Sequence, residues 1–228
     1  MKFTLLIFLA SVLLMGACKE GNVKLTVRQL QENDKTTHWE IQMNQPEFSS
    51  NVVNCQENCK VFNTFISYMV QRIRTNFIQN ANEQIASLDS ANIDYAPFVL
   101  NVSNNVLMDG PRYLSVRLNS YQMYHGAHGQ TDIYGLNYDL EKQSFLKLAD
   151  MMDLSKGKEI NALLKKHLED PDHCLTFAEP TVDNVTAVNI TPKAIEFVYA
   201  QYILGPYSCG PVTIELPREE LKGLLLLN

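Results

Sequence analysis

Two histidines three residues apart, His125 and His128, sit in the stretch most capable of chemistry, residues 124–130 (YHGAHGQ). Gly126 and Gly129 flank them and free the backbone for unusual dihedrals or for close approach of a ligand. Paired imidazoles on a tight loop are metal ligands when a third group converges, and Asp132 and His173 are the nearest candidates in sequence. No HExxH motif accompanies the pair, and the simpler reading is a glycine-rich turn whose histidines make ordinary hydrogen bonds. In that reading His128 is a buried imidazole that fastens the turn to a neighbouring strand. We therefore assign no metal, no cofactor and no catalytic residue. Gly-x-Ser-x-Gly and Ser-x-x-Lys nucleophile motifs are absent, as are phosphate-cradling glycine loops and the dinucleotide fingerprint. The acidic pair Glu219 and Glu220 follows Pro217 at an expected helix start, where the helix dipole accounts for it.

Cysteine placement carries more information. Met1 and Lys2 form a short positive region, residues 3–15 an apolar run, and Gly16 and Ala17 supply small residues just before Cys18. This order resembles the bacterial lipobox, in which the cysteine becomes the first mature residue and is acylated. Lys19 follows where an Asp would retain the product at the inner membrane, so an outer-membrane anchor facing the periplasm is expected. Setting Cys18 aside leaves Cys55, Cys59, Cys174 and Cys209, which allow three disulfide connectivities. The simplest scheme joins Cys55 to Cys59 and Cys174 to Cys209. A zinc site would need two closely spaced knuckles, and only one such spacing exists.

Composition bounds the partners. Apolar residues make up 46% of the 228 residues and charged residues 19%, the balance of a folded chain and not of a disordered one. The formal net charge is −6, and no basic run exceeds Lys165 and Lys166, so no basic stripe exists for a nucleic-acid backbone. The partners expected are thus a membrane, through lipid on Cys18, and an envelope ligand; nucleic acid is excluded.

The elements that must position these residues follow from periodicity. Alternation over residues 23–31 and 37–43 predicts a hairpin closed by a polar turn, followed by a loop containing Pro46 and the first cysteine pair. Phe62, Ile66, Met69, Ile73, Phe77 and Ala81 recur at three- and four-residue intervals and predict an amphipathic helix, with Arg72 and Arg74 on its solvated side. Strands are expected over residues 97–102, 105–108, 113–124, 132–140, 185–190, 194–200 and 212–216. Ser155 is the expected N-cap of a second helix stopped by Asp170 and Pro171, and a last helix is expected after Pro217. The fold class is α+β: an antiparallel sheet packed by two main helices. The expected organisation is a signal peptide over 1–17, a small N-terminal α/β portion over 18–90 and a C-terminal α+β domain over 91–228.

Several blocks resemble a known family. Residues 113–116, 124–129, 136–140, 145–151, 190–197, 202–207, 210–212 and 214–221 are similar to the RsiV-like domain of unknown function, and residues 37–48 with the long helix look like the smaller domain that precedes it. The resemblance implies an extracytoplasmic protein. Such domains occur in ectodomains of lysozyme-sensing anti-sigma factors, beside peptidoglycan deacetylase domains and in small lipoproteins. It implies a binding role for Tyr124, Gly126, Ala127, His128 and Tyr207, with a lysozyme-like protein or cell-wall glycan as ligand. The alternative is an accessory enzyme or metal-binding protein of peptidoglycan metabolism centred on His128. Cys209 falls in the loop after Tyr207, where a disulfide to Cys174 would fasten it.

The N-terminal reading makes the first prediction. Intact-mass measurement of protein taken from its native membrane is expected to show acyl mass on a chain that begins at Cys18. An unmodified chain, or one cleaved elsewhere, rejects it.

Overall fold

A computed structural model describes residues 23–227. Strands β1 (Leu25–Lys35) and β2 (Trp39–Ser50) form an antiparallel hairpin in which Val27 faces Phe48 and Asp34 faces Ile41. β2 runs straight through Pro46, which the sequence reading assigned to a loop. β2 pairs with the next strand only over residues 39–43, so a residue without an N–H interrupts no second ladder at position 46.

Helix α1 (Val53–Ser90) is longer than its apolar stripe suggested, because no glycine or proline occurs within it. Its 38 residues span about 57 Å. Phe62, Ile66, Ile73, Phe77 and Ala81 are buried as expected, and Val70 takes the central place expected of Met69, which is only partly buried. The cysteine pair lies in the first turns of this helix, not in a loop. Cys59 is a buried free thiol, so the Cys55–Cys59 bridge does not form. Helical neighbours four residues apart hold their Cβ atoms about 5–6 Å apart, beyond the roughly 3.5–4.5 Å that a disulfide requires. Burial pushes the Cys59 thiol up to about 11. Arg74 is not solvated either: it pairs with Asp34 at 2.8 Å and Glu32 at 3.5 Å, tying α1 to β1.

The helix returns the chain to β3 (Phe98–Asp109), which pairs with β2 in parallel, as a crossover connection demands. β3 is one strand with an irregularity between Val106 and Met108, where the sequence suggested two. β4 (Tyr113–Met123), β5 (Gln130–Asp139) and the short β6 (Ser144–Phe145) complete a six-stranded sheet in chain order, antiparallel except at β2–β3. Its core against α1 takes in Ile41 and Met43 from one side of residue 90 and Leu100, Leu118 and Leu136 from the other.

After α2 (Leu148–Met151) and α3 (Gly157–His167), strands β7 (Ala187–Ile190), β8 (Ala194–Tyr199) and β9 (Val212–Pro217) form a second, antiparallel sheet. α3 follows a 3-10 turn whose cap is Asp153, accepting from the Ser155 N–H, so Ser155 is not itself the cap. No last helix forms among the described residues. Successive turns after Pro217 lead to Gly223 at φ 77°, and the chain then returns to α2, with the Leu226 N–H donating to the Met151 carbonyl. Leu221 and Leu224 join the second core, with Ile160, Leu164 and Phe197. The class is α+β as expected, with one main helix serving each of two sheets.

The sheets meet at a polar junction. Asn137 on β5 donates to the Val188 carbonyl at 2.7 Å and accepts from Ser115 at 2.8 Å and from the Ile190 N–H at 3.1 Å. Asn189 on β7 donates to Ser115 and to the Val116 carbonyl, both at 3.0 Å. Gly135 makes the approach possible, since a Cβ there would stand 2.4 Å from the Val188 carbonyl oxygen. Beside it, buried Glu196 pairs with Arg117 at 2.9 Å; burial raises the Glu196 pKa, and Arg117 opposes that rise.

Asn137→Ala takes the side-chain donor from the Val188 carbonyl and the acceptor from the Ser115 hydroxyl, while the Ile190 N–H keeps only Ser115. We expect it to cost roughly 1–3 kcal/mol, read as a lower urea midpoint with an unchanged slope. A midpoint equal to that of the wild type contradicts the role given to the junction.

Candidate functional site

The turn joining β4 to β5, residues 124–129, stands at one end of the large sheet beside the C-terminal half of α1. Between them lies a cleft of about 410 Å³ lined by Asn80 and Gln84 of α1, Gln122, Tyr124, Gln130 and Asp132, with His125 and His128 at its rim. Each wall has a local cause. Asn80 and Gln84 are four residues apart and so share one helix face, adjacent to buried Phe77 and Ala81. Gln122 and Gln130 face each other across the last rung of the β4–β5 ladder.

Tyr124 is the anchor. Its ring stacks on Phe77 at 5.2 Å and meets Phe98 edge-on at 5.5 Å. Its hydroxyl donates to Gln122 Oε1 at 3.0 Å, and Gln122 Nε2 donates to Asp132 Oδ2 at 3.1 Å. Gln130 Nε2 donates to the other carboxylate oxygen of Asp132 at 3.1 Å. Burial, chiefly, and the Asp132 charge raise the Tyr124 pKa, against a hydrogen bond from Asn80 that lowers it. The phenol therefore stays neutral at physiological pH and keeps its proton for hydrogen bonding. Both oxygens of Asp132 are held by amides, which suits an orienting group better than a base.

The outer rim is aromatic. His128 is exposed, not buried as the turn-fastening reading required; its ring stacks on Tyr207 at 4.1 Å, and Nδ1 lies 3.2 Å from the Gly129 carbonyl. The turn projects beyond the sheet, so its histidine meets the neighbouring loop and not a strand. Tyr202, 55% exposed, lies 5.8 Å from Tyr207 between ring centroids, and its hydroxyl is 3.5 Å from His128 Nε2. Tyr202 has φ 69°, a left-handed conformation that a bulky residue adopts only where its surroundings impose it. Tyr202 is the third residue of a turn closed by the Ile203 N–H donating to the Ala200 carbonyl at 3.2 Å, and the Cys174–Cys209 disulfide, with Cα atoms 5.9 Å apart, fastens the far end of the loop carrying Tyr202 and Tyr207. Gly205 lies beneath the bridge, where a Cβ would stand 2.8 Å from the Cys174 carbonyl.

Of the residues singled out from the sequence, Tyr124 and His128 come together at the cleft, and Tyr207 joins them by stacking on His128. Gly126 and Ala127 are exposed at the tip of the turn and do not line the cleft. Cys18 lies outside the described residues. Asn80, Gln84, Gln122 and Tyr202 were not anticipated; an amide at each of two successive positions on one face of α1 was the available signal. Among the described residues, no three His, Cys, Asp or Glu side chains gather closely enough to hold a metal, and none of their helices is long and apolar enough to cross a membrane.

Residues 141–219 match the profile of the DUF3298 family, described as a protein of unknown function. Residues 32–131 match a second profile, described as Deacetylase PdaC. Sequence likeness joins the chain to peptidoglycan-N-acetylmuramic acid deacetylase PdaC of Bacillus subtilis, at 26% identity over 145 residues. That match takes in 55% of this chain and only 29% of the deacetylase, so the chain spans under a third of that relative. A DUF3298 family protein of Bacteroides fragilis has the same fold, with a TM-score of 0.62 and 18% identity over 90% of this chain and 94% of its own. One from Pseudomonas aeruginosa PAO1 gives 0.54 and 18% over 92% and 96%. The 32–131 match takes in β2, α1, β3 and β4, and the 141–219 match takes in the second sheet together with β6, the last strand of the large one.

His128→Ala removes one stacking partner from an exposed site. We expect it to lower stability by about 1 kcal/mol or less, while the Tyr207 ring signals in a proton NMR spectrum move and broaden. A large drop in the denaturation midpoint would point to a buried role instead.

Proposed function

We propose that this protein is a lipid-anchored cell-envelope module that binds cell-wall glycan in the Tyr124–His128 cleft without catalysing a reaction on it. The observation that carries the reading is the cleft itself: neutral amides and a phenol line it, one fully engaged carboxylate orients them, and tyrosines form its rim. Amides and hydroxyls donate and accept at once, which matches the hydroxyl and acetamido groups of a sugar chain. Aromatic rims offer flat surfaces for the apolar faces of pyranose rings. The name of the Bacillus relative supplies an independent link to peptidoglycan. A concave, polar site of this size suits a few sugar units better than the flatter surface of a folded protein. Acylation of Cys18 would hold the module at the outer membrane, facing the periplasmic cell wall.

Calorimetric titration with soluble, uncrosslinked peptidoglycan glycan strands tests the reading. Saturable binding is expected, weakened at least tenfold by Gln122→Ala and by Tyr207→Ala in variants whose melting is otherwise intact. Absence of saturable heat from the wild type overturns it. Saturable binding of lysozyme with none of glycan would transfer the site to a protein ligand.

A further inference from the structure

The face of the large sheet turned away from α1 carries a feature that the cleft does not use. Ile41, Met43, Leu100 and Val102 point into the core, so their strand neighbours Gln42, Asn44, Asn101 and Ser103 point outward. Register then sets Asn33 beside Gln42 and Gln31 beside Asn44 on β1. The second sheet lies over β4 and β5 and leaves this area open. The result is a groove of about 330 Å³ whose six outward side chains, Gln31, Asn33, Gln42, Asn44, Asn101 and Ser103, are all uncharged. At its end Tyr121 stands opposite Asn101, 37% exposed. Its ring is seated on Gly129, where a Cβ would stand 2.5 Å from the ring. The glycine therefore fixes the ring with one face outward.

We infer that this face is a second binding surface, taking an uncharged glycan chain laid across the strands. Four observations select that occupant. The row Asn33, Gln42, Asn101, Tyr121 crosses four adjacent strands, offering a polar group about every 4.8 Å. Four exposed carboxamides, Gln31, Asn33, Gln42 and Asn101, present paired donors and acceptors of the kind that sugar hydroxyl and acetamido groups satisfy. The charges next along this face, Lys35 and Glu40, are already paired with each other, and no charged residue lines the groove among the described residues. Only one aromatic and no exposed aliphatic side chain is offered, whereas a protein partner needs an apolar centre to bury. A peptide would instead add to the open edge of β1.

The test uses the nitrogen-15-labelled protein and the hexamer of N-acetylglucosamine. Saturable shifts are expected in the side-chain amide signals of Gln42 and Asn101, and Q42A/N101A and, separately, Tyr121→Ala are expected to weaken them at least tenfold. Unchanged α1 backbone signals show that each variant is folded. Shifts confined to the Gln122 side chain overturn the sheet-face site and leave the cleft standing. Shifts at Gln42 and Asn101 that survive Tyr207→Ala, with none at Gln122, support the face and count against the cleft. No shift at any of the three overturns both.

Discussion

Asn137 and Asn189 reach across from one sheet to the other, and the approach is close enough that position 135 has no room for a side chain. Almost everything else in the second half of the chain is referred to that contact. β7 is short, yet it is held on β4 and β5 because its carbonyl at Val188 and its N–H at Ile190 find partners on the large sheet. A junction of this kind trades hydrophobic gain for geometry: amides have to meet at set distances, so the sheets dock in one register. The two apolar cores are then free to differ, one between α1 and the large sheet, the other around β8, α3 and the chain's last turns.

That docking is what gives the Tyr124–His128 cleft its tyrosine rim. β8 leads directly into the loop that carries Tyr202 and Tyr207, and the loop meets the β4–β5 turn only because the sheets are locked. The Thr131 N–H donates to Gln201 Oε1 at 3.3 Å, joining turn and loop again. The Cys174–Cys209 bridge restrains the loop from the other side. A flexible loop would lose entropy on gripping a ligand, and one held by covalent and hydrogen-bonded constraints loses less.

Two surfaces built mainly from neutral amides and tyrosines thus lie at one end and on one face of the same sheet, on a chain whose formal net charge is −6. Charge has been kept out of both, apart from an Asp132 already satisfied by amides and histidines at the rim. This distribution argues for recognition through hydrogen bonds and ring contacts and against electrostatic steering. It also fits a chain that resembles proteins named for peptidoglycan chemistry while spanning less than a third of one of them.

The amino-acid sequence determined what repeats locally. The stripe from Phe62 to Ala81 fixed a helix and its buried face, alternation fixed most strands, and glycines around His128 fixed a turn. Even the failure of the Cys55–Cys59 bridge was legible, since once the helix is extended to the nearest breakers both cysteines fall on it at a spacing that no disulfide tolerates. Tertiary structure decided the rest. Pairing of β2 with β3 depends on contacts more than fifty residues apart, and no local pattern encodes it. Arg74 looks solvated on a helical wheel, because its partners Asp34 and Glu32 lie on another strand. His128 was expected inside and lies outside, because glycines specify a turn but not which surface the turn projects from. The cleft itself is lined by α1 and the β4–β5 end of the large sheet, whereas Tyr202 and Tyr207 come from the β8–β9 loop, so the aromatic rim around His128 forms only once the junction at Asn137 has set the two sheets together.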